Sequence, residues 1–263
     1  MSWGPQDNAY GGDECIIRDT PKMSTTNLAP NNVSKLRVFS LIDGFNLYHA
    51  LERFDHGIDG ADQRRYKKYK WICLRTFIQR FVLPQEELVG VHYFTAYPNW
   101  DEAKRLRHQT YVNAIHSRGV DYTLGEFKSK LVECRATCRE TFDMREEKQT
   151  DVNIAVKMLE LADAYDKLIL VTADSDQVPA VRLLLTLNPD KQVFILPPIG
   201  RNSKELVRAA GKHRLIMTEQ DLLAAIMPNP VDIVRDGRVT AQLWKPATWA
   251  LPDGNPPANP NAA

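Results

Sequence analysis

From residue 36 onward, short apolar runs alternate with helix-length segments of mixed polarity, and this alternation carries most of the structural information in the chain. Residues 38–42, 91–97, 168–172 and 193–196 are rich in Val, Ile, Phe and Tyr and are bounded by polar residues or Pro. They have the pattern of strands buried on both faces. Between them, residues 71–81, 101–117, 151–165, 178–187 and 203–210 repeat their apolar positions at helical spacing. Strands separated by helix-length segments predict βαβ units. The expected fold is therefore α/β and Rossmann-like, with a mostly parallel central sheet and helices on both faces. Residues 120–127 offer one further strand.

The pattern fades at both ends and once in the middle. Residues 1–34 mix Gly, Pro, Asn, Ser and Thr without apolar periodicity and read as a flexible arm, with a short docked segment at 15–17. Residues 35–227 form the expected domain. Within it, residues 128–148 are charged and aperiodic, the mark of a flap or insertion. Residues 228–263 are a Pro-rich extension with a strand expected at 238–244 and a tail without structure. This extension is the expected surface for a second copy or a protein partner.

Composition narrows the classes. The 263 residues suffice for a sizeable core, and 34 basic against 33 acidic residues leave a formal charge of +1, so any nucleic-acid surface must be a local patch. The apolar run at 168–173 is far short of the roughly 18 residues that suggest a membrane helix. The N-terminus lacks the basic-then-apolar order of a signal peptide. A cytoplasmic protein with no membrane association is expected. Cys15, Cys73, Cys134 and Cys138 are too few for a disulfide framework. Cys134 and Cys138 have the spacing of half a zinc site, but no second Cys pair completes it, and free thiols are the simpler expectation.

In an open parallel sheet, ligands sit beyond the carboxyl ends of the strands, so residues just after each strand deserve most attention. The first strand ends Leu41-Ile42-Asp43-Gly44-Phe45-Asn46, and the run at 168–172 continues Ala173-Asp174-Ser175-Asp176. These two tips supply three carboxylates. A fourth, Asp151, starts a helix on which it falls in line with Ala155, Met158 and Ala162, the expected buried side, with Thr150 as N-cap. Taken singly, each acid has an ordinary explanation as a helix start, cap or turn residue. Together at one sheet edge they would repel one another, and a hard divalent cation relieves that repulsion. Mg2+ or Mn2+ is expected, and phosphodiester hydrolysis is a reaction such a centre supports without a separate protein nucleophile.

Three stretches, Leu41 to Asn46, Glu147 to Asn153 and Val171 to Asp176, closely resemble the NYN domain family in order and spacing over about residues 38–223. NYN domains are PIN-like, and the resemblance implies a metal-dependent ribonuclease acting on RNA. It assigns Asp43, Asp151, Asp174 and Asp176 as catalytic, metal-site acids and Asn46 as the polar residue after the first strand. Thr172 is expected to orient a ligand or water. The stretch at 197–206 resembles the segment after the last core strand, where Ser203 would cap a helix facing the same edge. Gln177 departs from the family, whose members often have an apolar residue there.

Substrate contacts are expected from Asn46, Thr172, Lys148, Arg201 and Ser203. Arg201, Lys204 and Arg208 are spaced to share one basic face, and Arg64 to Lys70 interleave with Tyr66, Tyr69 and Trp71 in a basic and aromatic cluster. A solvated helix start with rings folded onto the core explains that cluster equally well. Two rival functions stand beside the ribonuclease: a non-catalytic RNA-binding module that keeps the acidic pocket, and a metal-dependent phosphatase with an Asp nucleophile.

Overall fold

The computed structural model describes residues 34–54, 67–134 and 140–249. The expected arm, Cys15, Arg64, Arg65, Tyr66, Cys138 and the terminal tail lie outside the described residues. Strand β1 (Leu36–Asp43) leads directly into helix α1 (Gly44–Phe54). After a 3-10 turn at Lys67–Lys70 come α2 (Leu74–Gln79), β2 (Glu86–Thr95), α3 (Glu102–His116) and β3 (Asp121–Leu124). A hairpin of β4 (Glu126–Glu133) and β5 (Thr141–Lys148) precedes α4 (Thr150–Glu160), β6 (Lys167–Val171), α5 (Val178–Leu187) and β7 (Gln192–Ile195). The chain continues through α6 (Lys204–Ala209), α7 (Glu219–Leu223) and a second hairpin of β8 (Val231–Arg235) and β9 (Arg238–Leu243).

The central sheet has the order β3-β2-β1-β6-β7, and every pairing in it is parallel. Alternation along β1 sorts its side chains onto two faces. Val38 and Ile42 pack with Leu47, Phe77, Ile78 and Ile115 from the first three helices. Phe39 and Leu41 pack with Ile154, Met158, Val181 and Leu206 from α4, α5 and α6. Sequence order runs outward from β1 toward β2 and β3 on one side and toward β6 and β7 on the other. The crevice between the ends of β1 and β6 is thus the switch point at which open α/β sheets receive ligands.

Several expected boundaries move, for identifiable reasons. β2 begins five residues before the expected 91, because its leading Glu86 is buried against Lys167, with Nζ 2.9 and 3.0 Å from the two carboxylate oxygens. The helix expected from 71 starts at Leu74, since Ile72 bridges to Ile226 and Cys73 N–H bonds to Ala225 O at 2.8 Å. The strand expected at 120–127 is two strands broken at Gly125, where an added Cβ would lie 2.7 Å from Lys148 O. The aperiodic flap is in fact a regular antiparallel hairpin, in register from Glu126 against Lys148 to Glu133 against Thr141. Within the Pro-rich segment, the strand expected at 238–244 pairs with β8, and Val231 is fully buried. Trp71 Nε1 donates to Pro228 O at 3.0 Å, and the Trp249 ring lies 6.5 Å from that of Trp71. No helix among the described residues is long and apolar enough to cross a membrane.

Candidate functional site

Asp43 closes β1 and is 4% exposed. Its Oδ1 accepts from Asn46 N–H at 2.9 Å and its Oδ2 from the Thr172 hydroxyl at 2.9 Å. Burial nevertheless pushes its pKa from 3.8 up to about 6, with the charges of Asp151 and Asp174 adding to the effect. Gly44 makes the immediate passage into α1 possible: an added Cβ would stand 2.4 Å from Phe94 O and 2.7 Å from the Tyr93 ring. Asn46 Oδ1 accepts from Ala173 N–H at 3.2 Å, tying the end of β1 to the end of β6.

Thr172 completes this lock. Its hydroxyl donates to Asp43 and also accepts from Asp174 N–H at 3.1 Å, and the residue is fully buried. It thereby holds two acid-bearing segments together.

Asp174 and Asp176 follow in a 3-10 turn, with Asp174 Oδ1 accepting from Asp176 N–H at 3.0 Å. Asp151, Asp174 and Asp176 each offer a carboxylate oxygen within 4.8 Å of the others. Asp43 stands outside this trio, buried beside it, whereas Asp176 stands within it. Burial raises the pKa of Asp151, and the nearby Asp174 charge raises it further. The nearest lysines in sequence are engaged elsewhere, Lys157 with Glu160 at 2.7 Å and Lys148 with Glu146 at 2.9 Å. Three convergent carboxylates are hard oxygen donors, and their chemistry fits a divalent cation of the Mg2+ or Mn2+ kind.

Asp151 reaches the trio differently from the sequence expectation. The buried stripe of α4 is Thr150, Ile154 and Met158, so Asp151 lies one position off it, exposed in the first turn. Thr150 is the first helical residue rather than the cap. Gln149 precedes it with φ 77°, and Glu147 Oε1 accepts from both the N–H of Thr150, at 3.1 Å, and its hydroxyl. Glu147 is therefore a site-edge acid that the sequence reading passed over. Burial raises its pKa, and Asp151 adds to the rise. Its signal was its place at the acidic strand-to-helix junction, four residues before Asp151.

Gln177 is fully buried behind the trio. Its Nε2 donates to Asp151 O at 3.1 Å and approaches Asp151 Oδ1 at 3.4 Å, while its Oε1 is buried with no partner among the described residues. The departure from an apolar residue at this position thus places an amide directly against a site carboxylate.

The remaining candidates divide. Lys148 is exposed and pairs along the hairpin with Glu146 at 2.9 Å. Ser203 caps α6, accepting from Leu206 N–H at 3.3 Å, and α6 packs against the turn that carries Asp176. Arg201 lies just before this cap, half-buried, in the turn following Gly200. In the basic and aromatic cluster, Tyr69 and Trp71 are fully buried, and Lys70 is held at 3.3 Å from the Tyr48 hydroxyl and 3.5 Å from Glu52. The rings fold onto the core. Cys73 and Cys134 are free thiols.

A solved protein of unknown function from Vibrio parahaemolyticus aligns with 73% of this chain and 97% of its own at 16% identity, with a TM-score of 0.48. No curated protein matches the chain. The NYN domain matches residues 37–216, which span β1 to the loop before α7 and include all four aspartates. The chain belongs to the NYN domain family.

Proposed function

We propose that the protein is a metal-dependent ribonuclease that hydrolyses RNA phosphodiester bonds at the ends of β1 and β6. The observation that carries this reading is the carboxylate trio of Asp151, Asp174 and Asp176 at the sheet's switch point. These three residues would hold Mg2+ or Mn2+. A divalent cation in such a site supplies an activated water and neutralises charge on the phosphate. Asp43 adds negative charge from beneath and, through Thr172, fixes the backbone from which Asp174 projects. Gln177 orients Asp151. Asn46 sets the spacing of the two strand ends, and Arg201 with the Ser203 turn forms the phosphate-facing rim beside Asp176. The ribonuclease class rests on membership of the NYN family together with this donor set.

The test is cleavage of mixed RNA and DNA substrates by the purified chain with Mg2+ or Mn2+, alongside the Asp174→Asn variant. RNA products that require the metal and disappear in the variant are expected. Undiminished cleavage by Asp174→Asn would sink the assignment. Retained RNA binding without turnover in either metal would instead identify a binding module.

A further inference from the structure

Beside the end of β1, on the face covered by α1 and α3, lies a cavity of about 460 Å3, within the ~300–1,000 Å3 range of small-molecule and cofactor sites. Its floor is made by the first turns of α1 and the end of β2, so Phe45, two residues beyond Asp43, is part of its lining. Trp100 and Phe127 line it as well. The Phe127 ring meets both others edge to face, at 5.4 Å from Phe45 and 4.7 Å from Trp100. The Arg145 guanidinium stands 5.2 Å from the Trp100 ring, and α3 contributes Lys104 and Arg107 to the lining.

Two features separate this cavity from a packing defect. Trp100 remains 40% exposed although it stands in a ring cluster, so the cluster presents aromatic surface to solvent. Lys104, Arg107 and Arg145 also stand in the lining, where the acid Glu52 is paired with Lys70. Aromatic surface together with Arg and Lys is the combination that holds unpaired bases and their phosphates. Rings locked edge to face lose little freedom when a ligand arrives.

We infer that this cavity receives one unstacked base of a single-stranded RNA whose neighbouring phosphate lies at the carboxylate trio. Phe45, Trp100 and Phe127 provide the aromatic contact, while Arg107 and Arg145 meet phosphate or base oxygens. The inference rests on the ribonuclease reading and deepens it. It also gives the charged hairpin a task, because Phe127 comes from β4 and Arg145 from β5. Unpaired RNA is selected because a base locked in a duplex cannot enter.

The experiment uses the full chain carrying Asp174→Asn, a labelled single-stranded RNA and fluorescence anisotropy, with a duplex of the same sequence as control. Adding Trp100→Ala or Phe127→Ala is expected to weaken single-strand binding roughly 5- to 150-fold, the effect of losing one stacked base. The salt dependence should not change. Trp100→Tyr should restore most of the affinity, a rescue that a merely structural defect would not show. Arg107→Gln is expected to reduce the slope of log affinity against log salt by about 0.7. Wild-type-like binding by both Ala variants, in a chain whose parent cleaves RNA, overturns the cavity assignment alone. Loss of binding that Trp100→Tyr does not restore overturns it too. A parent that neither binds nor cleaves RNA removes the ribonuclease reading, and this inference with it.

Discussion

Asp43 burdens the metal-free fold, and replacing it with Asn measures the burden. Burial, together with the charges of Asp151 and Asp174, raises its pKa from 3.8 to about 6. The native state therefore binds this proton more tightly than the unfolded chain does. At about 1.4 kcal/mol per tenfold of affinity, the difference amounts to about 3 kcal/mol. The sign follows from linkage: this stabilising contribution is complete below pH 3.8 and is lost as the pH rises through about 6. The amide of Asp43→Asn carries no charge at any pH. Its oxygen can still accept from Asn46 N–H, and its NH2 can meet the Thr172 hydroxyl. With chelator present at pH 7.5, Asp43→Asn should thus be more stable than the parent by about 1–3 kcal/mol, after a discount for the weaker neutral hydrogen bonds. The advantage should shrink toward zero near pH 4. Urea denaturation across this range is the assay, with cleavage measured in parallel and expected to vanish. A variant that is equal to or less stable than the parent at pH 7.5, or whose advantage persists at pH 4, refutes the reasoning.

Three further outcomes test other parts of the structure. Gly44→Ala should lower the urea midpoint by an amount worth about 1–3 kcal/mol, because its Cβ meets Phe94 O at 2.4 Å and α1 must retreat; an unshifted midpoint would show that the passage is looser than described. Gln177→Leu removes a buried oxygen that has no partner, so stability should hold or rise by about 1 kcal/mol. Mn2+ affinity measured by calorimetry should nevertheless fall about tenfold, since Asp151 loses its amide contact. His92 is 8% exposed and hydrogen-bonded to the Thr123 hydroxyl at 2.8 Å. Burial, helped by the charge of Lys157, lowers its pKa to about 4 against the pull of Asp121 and Glu160. Its contribution is present above pH 6.5 and lost as the pH falls through about 4, up to about 3 kcal/mol, so His92→Asn should flatten the acid limb of the stability curve.

The sheet was legible because β1, β6 and β7 sit between helices and carry apolar runs that little else explains. The start of β2 was not, because a buried ion pair disguises Glu86 as surface. The β4–β5 hairpin was illegible for the opposite reason. Most of its side chains face solvent, and residues such as Leu131, Phe142 and Met144 are exposed, so no buried face imprinted a period of two on the sequence. At the site, strand-tip position found Asp43, Asp174 and Asp176, yet position alone could not say which would converge. Asp151 joins Asp174 and Asp176 because α4 begins beside the crevice, after a left-handed Gln149 that no propensity marked. The cavity needed three dimensions altogether, since Phe45, Trp100 and Phe127 are far apart in the chain and meet only once β4 packs beside α1.

The packing of Val231 and Trp249 separates two boundaries that are easily equated. The NYN match stops at residue 216, yet Trp71 leans on Pro228 and Trp249, and Val231 is as buried as any residue of β1. A chain cut at the end of the family match would keep all four aspartates and lose the outer wall of the core around α2 and α3. Such a fragment would be handicapped in folding before its chemistry could be measured. Inactivity in it would report a missing wall, and the shortest dependable unit for biochemical work runs through Trp249.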